Sequence, residues 1–178
     1  SMDKLGDDFL VCNGDYVIVR KLPGGRLSPQ LDLSELISYH KSSKKSIGTV
    51  MTIALASVGR EEAKRFGVAQ IKKVNGFNAI FSFKEKPDIK NISEKPLINA
   101  GVYVLDTEFV LSNMDEFLPN KPNTNLEKTL LEPLANSQEP KLGAYLLDLY
   151  AWFDIGTLEQ LVDVNICIAS RKGGYLNR

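Results

Sequence analysis

Segments rich in β-branched and aromatic residues alternate with segments of helical periodicity along most of the 178-residue chain. One predicted hairpin interrupts this alternation. Asn75-Gly76 separates the apolar runs Gly67–Val74 and Phe77–Phe83, and Asn-Gly fits the tight turn between antiparallel strands. Strands that alternate with helices usually form parallel neighbours, whereas a hairpin adds an antiparallel pair. The pattern therefore predicts an α/β fold with a mixed sheet.

The other elements are predicted from the same two periodicities. Further strands are expected at Asp8–Cys12, Tyr16–Arg20, Ile47–Val58, Leu97–Leu105, Leu142–Leu147 and Ala151–Phe153. Helices are expected at Leu33–His40, Thr107–Met114, Asn125–Asn136 and Thr157–Ser170. Asp32 and Thr157 stand at N-cap positions. Pro133 is expected to kink or end the third helix, and His40 is expected at the surface of the first.

The charges balance, because 22 Lys and Arg residues accompany 22 Asp and Glu residues and the single His is neutral. A basic excess is typical of proteins that bind nucleic acids, so no nucleic-acid partner is expected. The sequence has neither an apolar run of about 20 residues nor a signal-peptide core, so we expect a cytoplasmic protein without a membrane partner. Ser1-Met2 resembles a tag remnant, which leaves residues 3–178 as one domain.

Four short polar segments follow or interrupt apolar strands, and ligands bind at strand ends in open α/β sheets. They are Asn13–Asp15, Glu85–Pro87, Asn99–Gly101 and Trp152–Thr157. In the first, Gly14 would let backbone approach a ligand and Asp15 would hold a hard cation, although Asn-Gly-Asp alone is more often a plain turn. In the second, Lys86 suits a phosphate, although charges at a strand end are commonly just solvated.

The other two segments carry the same ambiguity. Gly101 lies inside a strand, where a glycine marks either the close approach of a ligand or a β-bulge. Asp154 is either a second carboxylate for a cation or a capping partner for the helix that begins at Thr157. Taken one at a time, these segments do not separate a ligand site from ordinary turns.

Taken in order, however, seven segments closely resemble the sugar-1-phosphate nucleotidylyltransferases, also called NDP-sugar pyrophosphorylases. The resemblance runs from about Asp7 to Asn165. The segments are Phe9–Asp15, Asp32–Lys41, Arg65–Val68, Phe83–Pro87, Ile98–Val104, Leu126–Lys128 and Trp152–Thr157.

This resemblance implies a Rossmann-like mixed, mostly parallel sheet with flanking helices. It also implies transfer of a nucleotidyl group from a nucleoside triphosphate to a sugar 1-phosphate, with release of pyrophosphate. The acids of the family's Asn-Gly-Asp and Trp-x-Asp-x-Gly-Thr segments hold Mg²⁺, which implies Asp15 and Asp154 as metal ligands.

The resemblance also implies which residues contact the sugar 1-phosphate. The lysine of the family's Glu-Lys-Pro segment contacts the phosphate and the glutamate contacts the sugar hydroxyls, which implies Lys86 and Glu85. The Asn-Ala-Gly segment lines the sugar pocket, which implies Asn99 and Gly101. The predicted catalytic residues are Asp15, Asp154 and Lys86, and the predicted substrate-binding residues are Gly14, Glu85, Lys86, Asn99 and Gly101.

The nucleotide-binding part of the family pattern is not found in this sequence. The family's Gly-Gly-x-Gly-Thr-Arg-Leu loop precedes the Asn-Gly-Asp strand by roughly a hundred residues, most of a typical domain. We therefore expect an incomplete nucleotidyltransferase fold, namely its C-terminal, sugar-phosphate-binding part, and a homo-oligomer formed through the exposed sheet edge. Two alternatives stay open: a catalytically silent binding or regulatory module on the same half-fold, and another nucleotide-sugar enzyme such as a glycosyltransferase.

Overall fold

The computed structural model of the chain describes residues 6–25, 27–28, 32–117 and 125–170. Ser1 and Met2, the expected tag remnant, lie outside these ranges. The described strands are β1 (Asp8–Cys12), β2 (Tyr16–Lys21), β3 (Leu27–Ser28), β4 (Met51–Ser57), β5 (Gly67–Val74), β6 (Phe77–Glu85), β7 (Leu97–Asp106), β8 (Leu142–Leu146) and β9 (Tyr150–Asp154). The described α-helices are α1 (Leu33–Ile47), α2 (Arg60–Ala63), α3 (Thr107–Phe117), α4 (Glu132–Ala135) and α5 (Leu158–Ser170).

Six strands form the main sheet in the order β1-β7-β4-β8-β6-β5, and β5 also pairs with β7. The mixed sheet with its hairpin confirms the predicted α/β fold. The expectation of a mostly parallel sheet is wrong for the described strands, because β4–β8 is the one parallel pair among them. Helices α1 and α3 do not join parallel neighbours, and β7 runs antiparallel to both β1 and β4.

The turn between β5 and β6 is the predicted hairpin. Asn75 and Gly76 have φ angles of 47° and 86°, and both are positive as a type I′ turn requires. The helix predicted at Asn125–Asn136 is π-helical over Glu127–Leu131 and α-helical in α4, so its irregularity precedes Pro133. Within the described ranges, no helix is long and apolar enough to cross a membrane.

A smaller sheet, β3-β2-β9, meets the main sheet at β7. The indole N–H of Trp152 donates to the carbonyl oxygen of Ala100 over 3.2 Å, and Asn13 N donates to Gly101 O over 2.8 Å. Tyr16 lies opposite Asp154 in the β2–β9 register. These contacts bring the predicted segments around Asp15 and Asp154 to the middle of β7.

Strand β4 is buried on both faces of the main sheet. Met51, Ile53 and Leu55 belong to one core cluster, and Ala54 and Ala56 belong to a second cluster. Burial on both faces explains why this strand is a continuous apolar run in the sequence and does not alternate with polar residues.

Helix α1 begins where predicted and ends later. Asp32 Oδ1 accepts the backbone N–H of Ser34 over 2.9 Å, which confirms the N-cap. Gly48 ends the helix with a left-handed φ of 76°, so Ile47 is helical and the strand predicted at Ile47–Val58 is shorter than expected. The surface position expected for His40 is wrong: its exposure is 0%, because α1 lies against β4, β7 and β8.

Candidate active site

A cleft of about 710 Å³ opens where the ends of β2, β6 and β9 meet the first turn of α5. Its charged and amide-bearing lining residues are Asp15, Lys64, Arg65, Glu85, Lys86, Asn99, Asn125, Glu127, Asp154 and Gln160. Of the predicted site residues, this set includes Asp15, Glu85, Lys86, Asn99 and Asp154. The cleft therefore includes residues from all four of the predicted polar segments.

Asp154, at the end of β9, is the most heavily bonded carboxylate of the cleft. Its Oδ2 accepts a hydrogen bond from Arg65 Nη2 and another from Gln160 Nε2, both over 2.9 Å. Its Oδ1 accepts the backbone N–H of Gly156 over 2.9 Å. With 12% of its side chain exposed, Asp154 is held in one orientation from three directions.

Asp15 lies beside Asp154 just before β2 begins. Its carbonyl oxygen accepts the backbone N–H of Ile155 over 2.8 Å, which ties the segment before β2 to the residue after Asp154. The two aspartates, 139 residues apart in the chain, thus reach the same cleft from neighbouring strands. Asp15 is exposed, so its carboxylate is open to a ligand from the solvent side.

Glu85 enters the cleft from the end of β6 through space left by a glycine. A side chain on Gly67 would overlap the ring of Phe83 and would come within 3.0 Å of Glu85 Oε2. Burial, reinforced by the nearby Glu127 carboxylate, raises the pKa of Glu85, while Lys86 acts in the opposite direction. A carboxylate that is largely shielded from water forms stronger hydrogen bonds to a polar ligand.

Lys86 follows Glu85 with an unusual backbone. Its φ of 46° lies in the left-handed region, which costs a non-glycine residue about 1–3 kcal/mol. The hydrogen bond from Lys86 N to Phe66 O, 3.1 Å long, holds this conformation. The side chain is 67% exposed and its ammonium lies 3.8 Å from Glu85 Oε1, so the charge stays available to a ligand.

Asn99 is a buried amide that braces β7. Its Nδ2 donates to the hydroxyl oxygen of Tyr103 over 2.7 Å, and its Oδ1 accepts the backbone N–H of Gly101 over 3.1 Å. This second bond stabilises Gly101 at a left-handed φ of 74°. Asn99 therefore combines a structural role with a place on the cleft wall.

Gly14 and Gly101 are not among the lining residues of the cleft. Gly14 is exposed, and a side chain there would meet nothing within 4 Å. A side chain on Gly101 would overlap the ring of Tyr16, which does line the cleft. Contact of either glycine with a substrate stays a prediction, and the visible role of Gly101 is to make room for Tyr16.

Arg65, Glu127 and Gln160 also line the cleft, although no functional role was predicted for them from the sequence. Arg65 and Glu127 lie in segments that carry the family resemblance, and that resemblance could have indicated their place in the cleft. The sequence signal for Gln160 was weaker. A glutamine three residues after a threonine N-cap is the pattern of a capping box.

The acidic residues of the cleft fit only some modes of binding a divalent cation. Among the described residues, no group of three or more His, Cys, Asp or Glu side chains could hold a metal ion. Mg²⁺ does not need such a cage, because it is commonly bound by one or two carboxylates together with waters and substrate phosphates. Asp15 is exposed, and Asp154 Oδ1 accepts one backbone hydrogen bond and keeps a further lone pair, so the pair fits that mode of binding.

A model of the nucleotidyl transferase family matches residues 4–171 of the chain. Glucose-1-phosphate adenylyltransferase of Clostridioides difficile is 29% identical over 157 residues, which cover 88% of this chain and 37% of that protein. The Bacillus subtilis protein of the same name is 30% identical over 154 residues, covering 85% and 36%. The chain thus spans slightly more than a third of the length of these curated relatives.

A solved structure of apo UDP-glucose pyrophosphorylase has the same fold. It superposes with a TM-score of 0.66 at 19% identity, covering 93% of this chain and 55% of that one. The mixed sheet and its flanking helices are therefore those of a known architecture.

Proposed function

The chain belongs to the nucleotidyl transferase family, and on that premise we propose that it forms the sugar-1-phosphate side of an enzyme that makes nucleotide sugars. The reaction joins a sugar 1-phosphate to the nucleotidyl group of a nucleoside triphosphate and releases pyrophosphate. The observation that carries the proposal is the convergence of Asp15, Asp154, Glu85 and Lys86 in one cleft.

Lys86 is the proposed partner of the sugar phosphate. Its ammonium is exposed at the cleft, and an ammonium donates charge-assisted hydrogen bonds to phosphate oxygens. Its backbone is pinned to Phe66 O, so the ammonium projects from a defined point. Glu85, one residue earlier, is the proposed acceptor for the sugar hydroxyls, and Asn99 forms the adjoining wall.

Asp15 and Asp154 are the proposed ligands of one Mg²⁺ ion. A divalent cation at this place supplies positive charge to the phosphate oxygens on which charge accumulates during transfer. The protein's contribution is to bring the two carboxylates to one cleft and to hold Asp154 in a fixed orientation. Three hydrogen bonds fix Asp154 in this way.

The chemistry needs positioning more than proton transfer. A phosphate monoester has a second pKa of about 6. The attacking oxygen of the sugar phosphate is therefore already ionised at neutral pH and needs no general base. Phosphoryl and nucleotidyl transfer depend on in-line orientation and on charge neutralisation. Lys86 is proposed to supply both within the cleft, together with the cation that Asp15 and Asp154 would hold.

The triphosphate is proposed to bind partly to residues outside this chain. This proposal is supported by the relatives, which are about three times as long as the matched region. It predicts that the 178-residue chain binds a sugar 1-phosphate without completing the reaction.

Calorimetry with a panel of sugar 1-phosphates tests the proposal, with glucose, glucose 6-phosphate and inorganic phosphate as controls. We expect saturable binding of at least one sugar 1-phosphate and much weaker binding of the controls. We also expect no pyrophosphate release from any nucleoside triphosphate in the presence of Mg²⁺. Equal affinity for inorganic phosphate would contradict the assignment of a sugar site. Steady pyrophosphate release would contradict the proposal that part of the triphosphate binds to residues outside this chain.

A further inference from the structure

The first turn of α5 is closed by a reciprocal capping box. Thr157 Oγ1 accepts the backbone N–H of Gln160 over 3.2 Å, and Gln160 Oε1 accepts the backbone N–H of Thr157 over 3.0 Å. Such a box satisfies two backbone donors that the helix geometry leaves unpaired. The oxygen end of the Gln160 amide is therefore committed to the helix.

The nitrogen end of the same amide reaches the cleft. Gln160 Nε2 donates to Asp154 Oδ2 over 2.9 Å, on the oxygen that also accepts Arg65 Nη2. The two contacts determine the orientation of the amide, because the reversed amide would place its oxygen against a carboxylate and its NH₂ against an N–H. One side chain thus joins a helix terminus to a predicted metal ligand.

Gln160 differs in this respect from an ordinary capping residue. Glutamate serves equally well as the third residue of a capping box, but a glutamate here would place a second negative charge against Asp154. Of the two residues typical of this position, only glutamine can both accept from the helix N–H and donate to the carboxylate, because an ionised glutamate has no donor. The choice of glutamine is explained by the Asp154 contact and not by the needs of the helix.

We propose that Gln160 is a positioning residue for Asp154, and that through it the first turn of α5 orients the carboxylate assigned to the cation. This inference rests on the proposed function for the identity of the cation ligand. Removal of a residue that forms a hydrogen bond to a metal ligand typically lowers metal affinity by about 10–100-fold. Arg65 and Gly156 also hold Asp154, so the effect of Gln160 is expected at the lower end of that range.

The test uses Mn²⁺ as the probe and the 178-residue chain as the protein. Gln160→Met keeps the length of the side chain and removes both amide contacts. Thr157→Val removes the acceptor for Gln160 N but leaves the Gln160–Asp154 contact in place, so it reports the cost of a damaged cap alone. We expect the Mn²⁺ dissociation constant to rise about tenfold in Gln160→Met and less than about threefold in Thr157→Val. Equal changes in the two variants, or no change in Gln160→Met, would overturn the proposal.

A second measurement is independent of metal binding. A double-mutant cycle of Gln160→Met and Asp154→Ala, unfolded by urea in the presence of EDTA, isolates the contact between the two side chains. We expect Gln160→Met to raise the unfolding constant several-fold more when Asp154 is present than when Asp154→Ala has removed the carboxylate. Additive effects would overturn the link. A wild-type chain that binds no Mn²⁺ would refute the cation assignment itself, and the cycle would then decide the Gln160–Asp154 link alone.

Discussion

The aromatic ring of Tyr16 lies against Gly101 so closely that a methyl group on Gly101 would overlap it. Tyr16 belongs to the small sheet and Gly101 to the main sheet, so this contact is a point where the two sheets meet. The same ring lies 4.7 Å from the ring of Trp152, whose indole N–H donates to Ala100 O. The absence of a side chain at Gly101 therefore leaves room for the ring of Tyr16, which lines the cleft.

Gly101→Ala is expected to destabilise the chain through this overlap and through its φ of 74°. Gly24→Ala is the matched control, because Gly24 has a φ of 77° and a side chain there would meet nothing within 4 Å. The control carries only the backbone cost, roughly 1–2 kcal/mol. Urea unfolding should show a further loss of about 1–3 kcal/mol in Gly101→Ala, as for overpacked sites. Equal losses in the two variants would show that the Tyr16 contact has no energetic weight.

Lys86→Ala is expected to weaken the binding of glucose 1-phosphate about 10–100-fold. A hydrogen bond to a charged group is worth about 1.5–3 kcal/mol, and each tenfold change in affinity corresponds to about 1.4 kcal/mol. Lys84→Ala is the control, because Lys84 is an exposed lysine near the end of β6, two residues before Lys86, and does not line the cleft. Calorimetry on both variants measures the difference. An affinity unchanged by Lys86→Ala would refute the phosphate assignment.

Asp15→Asn and Asp154→Asn are each expected to raise the Mn²⁺ dissociation constant by about tenfold or more. A direct ligand should matter at least as much as the residues that orient it, whose removal costs about 10–100-fold. Asp148→Asn removes an exposed carboxylate from the turn before β9 and should leave the affinity unchanged. Titration of Mn²⁺ followed by electron paramagnetic resonance gives the three constants. Similar affinities for all three variants would place the cation elsewhere.

His40 is expected to make the stability of the chain depend on pH. Burial lowers its pKa below the ordinary value of 6.5, Lys44 acts in the same direction, and Asp8 and Asp106 oppose them. Nδ1 lies 2.9 Å from Thr52 Oγ1, and Nε2 lies 3.3 Å from Asp8 Oδ1. Because burial outweighs the two carboxylates, folding favours the neutral form of the ring.

The direction in which the free energy of unfolding changes with pH follows from proton binding to His40. Below about pH 6.5 the unfolded chain takes up a proton on His40 more readily than the folded chain, so the free energy of unfolding falls as the pH is lowered. Above that pH, His40 contributes no pH dependence. Urea unfolding between about pH 8 and about pH 5 should show a steeper loss for the wild type than for His40→Gln. The chain has one histidine, so the difference between the two profiles reports the titration of His40 together with its effect on the adjacent Asp106 carboxylate. Parallel profiles would contradict the prediction.

The tight turn and the first helix N-cap were predicted correctly, because a few neighbouring residues decide the conformation there. Asn75-Gly76 adopts the positive φ angles that its turn needs, and Asp32 caps α1, because both depend on contacts within about four residues. The family resemblance added the place of Asp15, Glu85, Lys86, Asn99 and Asp154, which do line one cleft.

Features that depend on distant contacts were missed. The burial of His40 depends on strands that pack against α1, and the direction of β7 depends on its neighbours β1 and β4. Arg65 and Asp154 are 89 residues apart, so no local pattern indicates that they form an ion pair.

The amino-acid sequence by itself determined the places of most strands and helices, the hairpin, the N-cap of α1 and the residue types that suit a phosphate and a cation. These follow from periodicity, turn chemistry and side-chain chemistry, which act over a few residues. The tertiary structure alone decided which strands beyond the β5–β6 hairpin are neighbours, that His40 is buried, and that Arg65 holds Asp154. These depend on side chains that chain folding brings together from remote segments, and hydrogen bonds about 3 Å long exist only once that packing is complete.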